Sequence, residues 1–196
     1  MQIEVKYPYE PSRPFMCVPA CINMIFKRRG FNSYDQLELG SRLDLVVPND
    51  LPTIYPGMRT SDDMNQWGVP PHNLEALLNR LFSDLGLNLY HKYFPVHNIP
   101  TSSLIDFISD NLQLGNDSMI GFDYFTVYGN GEHVGHTSLI SKTDSTQDLI
   151  WLTDPEYVPD NDRPIRYERL IHGMEVKKDG IWIFTSKDFP RIPIPI

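Results

Sequence analysis

The sequence predicts an α+β fold in which helices come first and an antiparallel sheet follows. Helical apolar periodicity dominates residues 17–115 of the 196-residue chain. From residue 118 onward, segments rich in aromatic and β-branched residues are separated by turns, which is typical of consecutive antiparallel strands. Segregation of helices and strands along a chain favours α+β over alternating α/β topology. We therefore expect N-terminal helices packed on a C-terminal antiparallel sheet.

Length and terminal composition predict one domain with an extended tail. A chain of 196 residues suits a single domain over residues 1–196. Within residues 186–196, isoleucine alternates with proline from Ile192 to the end. Prolines exclude a regular internal strand there, and the apolar residues predict an ordered contact. The tail is expected either to pack on its own domain or to dock on a protein partner or a neighbouring subunit.

Charge and cysteine content exclude several functional classes. The net charge is −8, with no basic stripe, so nucleic acid is not an expected partner. No signal peptide or membrane-length apolar run is visible, which predicts a cytoplasmic protein without a membrane segment. The two cysteines lack the clustered spacing of a zinc site, and their positions on one helix disfavour a disulfide between them. We expect no metal and no other cofactor.

The first half of the chain predicts a short strand and several helices. Residues 2–7 alternate as a strand does, and Pro19 suits the first turn of a helix that ends near Gly30. Either Asn32 or Ser33 is expected to cap a second helix, because Ser33 and Gln36 resemble a capping box. Residues 46–57 are predicted to be a loop. A short helix is then expected from residue 60 or 61 to residue 67.

The next segments alternate between helix and strand. Asn73 is expected to cap the clearest amphipathic helix, over residues 74–85. A strand at residues 87–94 and a helix at residues 104–112 follow. The C-terminal half is then predicted to contain strands at residues 118–128, 135–142, 149–153 and 180–185, with a short helix within residues 164–174.

Cys17 is the candidate nucleophile. It lies at the predicted N-terminus of the first helix, where backbone N–H groups and the helix dipole favour an anion and lower a thiol pKa. Cys21 lies one turn further along an apolar stretch and is expected to be a core residue. Buried free cysteines usually only pack, so the catalytic interpretation of Cys17 depends on residues far downstream.

Two downstream positions provide the groups that a thiol nucleophile needs. A base must take the thiol proton, and a third group must orient that base. His136 opens a predicted strand after a glycine-rich turn, and Asp154 ends the next strand, so the two can be neighbours in a hairpin. His133, in the turn, is the alternative base. The Gly135-His136 pattern and the shorter reach to Asp154 favour His136.

These segments together resemble a known family. Cys17-Val18-Pro19-Ala20, then Gly135-His136 and then Asp154-Pro155 are similar to the motifs of the papain-fold bacteriocin-processing cysteine peptidases, which cleave double-glycine leader peptides. The resemblance implies a papain-like fold, a stand-alone member and a peptide or protein substrate. It also implies Cys17 as nucleophile, His136 as general base and acid, and Asp154 as orienting carboxylate.

Two departures from the family pattern keep alternatives open. Val18 stands where the family usually has glycine, and residues 9–14, shortly before Cys17, contain no glutamine to line an oxyanion hole. The backbone N–H of Cys17, together with Ser12 or Arg13, is the expected substitute. The functional alternatives are a cysteine peptidase, an acyltransferase or transglutaminase-like enzyme with the same residues, and an inactive papain-fold binding module. Substrate specificity is expected in residues 46–60.

Overall fold

A computed structural model describes residues 2–51, 53–156, 163–188 and 190–193, without the side chains of residues 71, 72 and 163. Its helices are α1 (Cys17–Arg28), α2 (Gln36–Arg42), α3 (Pro71–Asp84), α4 (Leu104–Gln113), α5 (Tyr124–Tyr128) and α6 (Tyr167–Lys177). Its strands are β1 (Gln2–Glu4), β2 (Val46–Pro48), β3 (Arg59–Ser61), β4 (Tyr90–Pro95), β5 (Asp117–Asp123), β6 (Gly135–Asp144), β7 (Leu149–Thr153), β8 (Arg163–Arg166) and β9 (Gly180–Thr185).

The strands confirm the predicted α+β class. Within the described chain, seven strands form one sheet in the order β4-β9-β5-β6-β7-β8, and β1 pairs with β6. Every pairing in this sheet is antiparallel. The short strands β2 and β3 form a separate parallel pair.

Both faces of the sheet are covered, which explains why every position of the central strands β5 and β9 is buried. In β9, Trp182 and Phe184 pack with α1 and α3 on one face. Ile181 and Ile183 alternate with them and pack with α4 and α6 on the other face. This follows from the two-residue period of a strand, which sends neighbouring side chains to opposite faces. The N-terminal helices therefore pack on the sheet as expected, with α4 and α6 on its opposite side.

The C-terminal end of α1 is tied to the start of β5 by charge. Arg28 Nη1 lies 2.7 Å from Asp117 Oδ1, and Arg29 Nε lies 2.5 Å from Asp117 Oδ2. Burial raises the pKa of Asp117, whereas the two guanidinium groups act in the opposite direction. At the middle of α1, the Cys21 thiol donates to the carbonyl of Thr137 in β6 over 3.5 Å. These contacts place the N-terminus of α1 beside the start of β6.

Two helices begin at positions that differ from the prediction. Asp35 caps α2 through Leu37 N, at 2.8 Å, so neither Asn32 nor Ser33 is the cap. The helix α3 begins at Pro71, which places Asn73 inside it.

Three further segments were predicted incompletely. Residues 46–57 contain β2 rather than only loop. The predicted strand at 118–128 ends at Asp123, whose carboxylate accepts from Thr126 N at 2.8 Å and so starts α5. The short helix predicted within residues 164–174 is confirmed as α6, but β8 before it was not predicted and α6 continues to Lys177.

The beginning of the tail contacts the domain. Asn116 Nδ2 donates to the carbonyl of Arg191 over 2.7 Å, and Ile192 packs against the core beside α4 and α6. The predicted contacts of residues 194–196 lie outside the described residues. Among the helices described, none combines the length and the apolar character needed to cross a bilayer.

Candidate active site

Cys17 is the first residue of α1 and is half-buried. Its helix has no side-chain cap and no acidic residue in the first turn, so the first N–H groups are not engaged by a carboxylate. Such a helix end favours an anion, because free N–H groups and the helix dipole both face it. The preceding Phe15 adopts φ = 65°, and its ring packs edge-on against Tyr55 and Trp67. This packing holds the sharp entry into the helix.

His136 is the second residue of β6, and its side chain is only 3% exposed. Nε2 of its imidazole lies 2.9 Å from both carboxylate oxygens of Asp154, which directly follows β7. The rings of Phe122, Tyr124 and Tyr128 surround the imidazole, with centroid distances of 5.5, 5.2 and 6.4 Å. The structure thus brings His136 and Asp154 into direct contact through adjacent strands.

The Asp154 carboxylate accepts hydrogen bonds from three groups other than His136. Ser138 Oγ donates to Oδ2 and the backbone N–H of Glu156 donates to Oδ1, both over 2.9 Å. The hydroxyl of Tyr128 also donates to Oδ2. Because these donors hold both oxygens, the carboxylate is fixed as an acceptor that faces Nε2 of His136. The other ring nitrogen, Nδ1, lies on the side of the imidazole away from Asp154.

The pKa shifts of the pair favour its charged form. Burial by itself lowers the pKa of His136, but the Asp154 charge and hydrogen bond, together with the Cys17 thiol, raise it well above its usual value. Burial by itself raises the pKa of Asp154, but His136 and the hydroxyl of Tyr128 bring it below its usual value. Cys17 lines the same two cavities as His136. The thiol therefore lies beside a site that keeps an imidazolium.

Other residues singled out from the sequence lie elsewhere. The side chain of His133 is 66% exposed, and Nδ1 lies 3.0 Å from Asp123 Oδ1 rather than near Asp154. Cys21 is fully buried, and burial raises its thiol pKa well above the usual value. This confirms that Cys21 is a core residue.

The two side chains expected to help form an oxyanion hole, those of Ser12 and Arg13, are engaged in other contacts. The Ser12 hydroxyl donates to the carbonyl of Arg13 over 2.6 Å, and the Arg13 guanidinium lies 3.4 Å from Asp35.

Cys17 and His136 lie where two cavities meet. One of about 350 Å³ extends over the sheet toward Thr137, Asp179 and Trp182. The other, about 520 Å³, extends toward Tyr124 and Glu156. Trp67 and Gly68 border both cavities. From the predicted specificity segment, Val46 and Arg59 reach the first cavity, whereas residues 65–70 contribute more of its wall.

Sequence reasoning missed several residues that support the site. Ser138 lies two positions after His136, so strand alternation could have placed both on one face. Tyr128 and Glu156 had no comparable signal, because the sequence predicted a strand where α5 lies and the turn after β7 has no fixed geometry.

No metal site is visible in the described part of the chain, which contains no group of three or more His, Cys, Asp or Glu side chains that could hold an ion.

Comparison with known proteins identifies the fold. No protein-family model matches the chain, and no curated protein sequence does. Among solved structures, a protein described as a C39-like peptidase from Bacillus anthracis matches with a TM-score of 0.63 and 13% identity, over 95% of this chain and 98% of that one. The peptidase domain of Streptococcus ComA, a bi-functional ABC transporter of a quorum sensing pathway, matches with a TM-score of 0.53 and 13% identity, over 91% and 98%. The chain therefore has the papain-like α+β fold of the C39-like peptidases.

Proposed function

We propose that this protein is a thiol hydrolase, a cysteine peptidase that cleaves an amide bond of a peptide or protein through Cys17, His136 and Asp154. The observation that carries the proposal is the buried pair of His136 and Asp154, joined over 2.9 Å beside a thiol at a helix N-terminus. An imidazolium next to a thiol stabilises the thiolate, which is the nucleophilic form. The similarity of fold to two peptidases gives independent support.

The proposed reaction has two steps. The Cys17 thiolate attacks the carbonyl carbon, and the C–N bond breaks as His136 passes its Nδ1 proton to the leaving amine. Water then attacks the thioester while His136 takes a proton from it, and the C–S bond breaks to release the carboxylic acid and the thiolate. Asp154 holds the imidazole orientation throughout. Backbone N–H groups at the start of α1 would stabilise the oxyanion of both steps.

The absence of a glutamine from residues 9–14, shortly before Cys17, keeps two alternatives in view. An amine in place of water would make the enzyme an acyltransferase or transglutaminase-like enzyme. A thiol that is not ionised would leave a papain-fold binding module. Losing one oxyanion donor costs on the order of 10²- to 10³-fold in rate, so the missing glutamine bears on speed more than on the nature of the chemistry.

Alkylation of the thiols tests the proposal. The protein is treated with iodoacetamide at pH 6, and the rates at Cys17 and Cys21 are followed by peptide mass spectrometry. A free thiol of pKa near 8.5 is about 0.3% ionised at pH 6, so an imidazolium-paired Cys17 should react roughly 10²-fold faster than such a thiol. Cys21, being buried, serves as the internal control and should stay unmodified. A slow Cys17 would reject the enzyme and favour the binding module.

A second experiment separates hydrolysis from acyl transfer. Wild-type protein and Cys17→Ala are incubated with a peptide library, with and without an added amine such as glycine methyl ester. A hydrolase gives the same free acids in both cases, whereas an acyltransferase gives amide adducts. Products that persist in Cys17→Ala would exclude Cys17 as the nucleophile.

A further inference from the structure

A second carboxylate faces the imidazole, on the side opposite Asp154. Glu156 Oε1 lies 3.8 Å from Nδ1 of His136, whereas Asp154 occupies Nε2. The backbone of Glu156 is fixed, because its N–H donates to Asp154 Oδ1 over 2.9 Å. Its side chain is 46% exposed and lines the 520 Å³ cavity together with Cys17. The turn that follows β7 therefore places one carboxylate beside each nitrogen of the same imidazole ring.

Charged and titratable groups reach the surroundings of His136 from several elements. These groups are Cys17 from α1, Tyr124 and Tyr128 from α5, Asp154 and Glu156 after β7, and Lys177 from α6, which lies over Gly135. The hydroxyl of Tyr128 donates to Asp154. The Glu156 carboxylate lies beside Nδ1, and Cys17 lines the same cavity as His136 and Glu156, so the thiol and this carboxylate are the two candidate acceptors of the Nδ1 proton. They compete for one proton.

The competition has a definite electrostatic sign. A negative charge beside an imidazole favours its protonated form and raises its pKa. The same charge beside a thiol disfavours the thiolate and raises the thiol pKa. An ionised Glu156, 3.8 Å from Nδ1, would therefore hold the proton on the ring and at the same time oppose ionisation of a neighbouring thiol. A group that filled the cavity and moved this exposed carboxylate would release both effects.

We propose that Glu156 is a positioning residue that restrains the Cys17 thiolate by competing with it for the Nδ1 proton of His136. The proposal rests on the proposed function, because it assigns a role within the same reaction. It predicts that the resting enzyme is less nucleophilic at acidic pH than the Cys17–His136 pair alone would be. Occupation of the cavity lined by Glu156 then activates the thiol.

The test is the pH profile of iodoacetamide alkylation at Cys17, from pH 4.5 to 9, in wild type, Glu156→Gln and Glu132→Gln. Glu132 lines the same cavity and carries the same charge but has no contact with the imidazole among the described residues, so it is the matched control. Glu156→Gln should lower the midpoint by about half a unit to one unit, and so speed alkylation below the midpoint by about 3- to 10-fold. Glu132→Gln should leave the profile unchanged. An unchanged or raised midpoint in Glu156→Gln, or an equal shift in both variants, would overturn the proposal.

A measurement on the histidine separates this proposal from the proposed function. In Cys17→Ala, the His136 imidazole is titrated by NMR with and without Glu156→Gln. The added substitution should lower the imidazole pKa by about half a unit to one unit, whether or not the protein is an enzyme. No shift would reject the role of Glu156 even if Cys17 is reactive. A shift with a slow wild-type Cys17 would reject the proposed function while retaining the contact.

Discussion

Two histidines of this molecule are almost equally buried, yet their surroundings drive their pKa values in opposite directions. His91, on β4, is 0% exposed, and neither ring nitrogen has a hydrogen-bond partner among the described residues. Burial lowers its pKa to about 3. His136 is 4% exposed, and its pKa is raised well above the usual value. Burial acts in the same direction on both rings, so the difference comes from their neighbours.

The neighbours differ by a carboxylate. Around His91, Asn79 bonds only the backbone, accepting from the N–H over 2.8 Å and donating to the carbonyl over 2.9 Å, and the ring packs against Phe184 at 4.9 Å. Around His136, Asp154 contacts the ring itself. A buried imidazole without a charged partner is a neutral core residue, whereas the same group beside a fixed carboxylate can hold a proton for chemistry. Burial alone therefore does not identify a candidate site.

The largest expected effect comes from removing that carboxylate. Asp154→Asn keeps the shape of the side chain but removes the charge that sustains the imidazolium of His136. We expect catalysis to fall on the order of 10³- to 10⁴-fold, and alkylation of Cys17 at pH 6 to fall roughly 10²-fold. Both are measured against wild type, with circular dichroism to check folding.

Asp123→Asn is the matched control for this change. Asp123 ends β5, pairs with His133 and caps α5, and asparagine caps a helix about as well as aspartate. It should leave Cys17 reactivity within about 2-fold of wild type, since no contact to the imidazole of His136 is lost. Equal losses in Asp154→Asn and Asp123→Asn would show that the Asp154 charge is not the reason why the pKa of His136 differs from that of His91.

The second effect is the acid sensitivity that His91 gives to the fold. Its pKa is about 3 in the native state and about 6.5 when unfolded, so between these values the unfolded chain binds more protons. The stability that a neutral His91 contributes is complete above about pH 6.5 and is lost progressively as the pH falls toward 3. From pH 6.5 to pH 4 the loss is about 3 kcal/mol in the free energy of unfolding.

His91→Phe isolates this contribution. Asp179, whose pKa is raised to about 6 by burial, changes stability in the opposite sense over part of the same range, so the wild-type curve is a composite. The difference between wild type and His91→Phe, measured by urea unfolding at pH 4 and pH 6.5, removes Asp179 and every other common group. A difference that does not change with pH would mean that His91 is protonated or solvated in the native state.

The two cysteines extend the comparison to a smaller effect. Cys21 is fully buried beside Thr137, and Cys17 is half-buried one turn earlier on α1. Cys21→Ala should cost about 1 kcal/mol or more in the free energy of unfolding, because a cavity replaces the sulfur. Cys17→Ala should change stability by less than about 0.5 kcal/mol while abolishing activity. The reverse pattern in thermal unfolding and activity would exchange the roles of the two residues.

The sequence predicted element boundaries well where interactions between residues close in the chain determine them. The proline pattern and apolar spacing placed Cys17 at the start of α1, and the strands at residues 149–153 and 180–185 have the predicted bounds. Residues 124–128, Tyr-Phe-Thr-Val-Tyr, have strong β propensity but form α5, because the Asp123 side chain caps them. Propensity is a weak preference that a single capping bond can override.

The parts of the site that depend on distant contacts could not be predicted. His91 shows this limit, since nothing in its neighbourhood in sequence distinguishes it from a ligand or a base. Its lack of a hydrogen-bond partner for the ring among the described residues follows from the packing of β4 against β9. Glu156 shows the converse. Its distance from the imidazole follows from the turn after β7, whose geometry the residues Asp154-Pro155-Glu156 do not specify. The contact between His136 and Asp154, in contrast, could be predicted because the two residues lie on or directly after consecutive strands.

The smallest expected effect belongs to the histidine that competes with His136 in the sequence. His133 has a carboxylate partner as His136 does, at 3.0 Å, but its side chain is 66% exposed where that of His136 is 3% exposed. Because water screens such an exposed pair, we expect the Asp123–His133 contact to contribute little to thiol reactivity or to the free energy of unfolding. His133→Gln should keep Cys17 alkylation within about 2-fold of wild type and stability within about 0.5 kcal/mol. His136→Gln, measured in parallel, should lose alkylation at pH 6 about as far as Asp154→Asn does. If His133→Gln instead loses reactivity while His136→Gln retains it, the base is His133, and an exposed ion pair rather than a buried one activates the thiol.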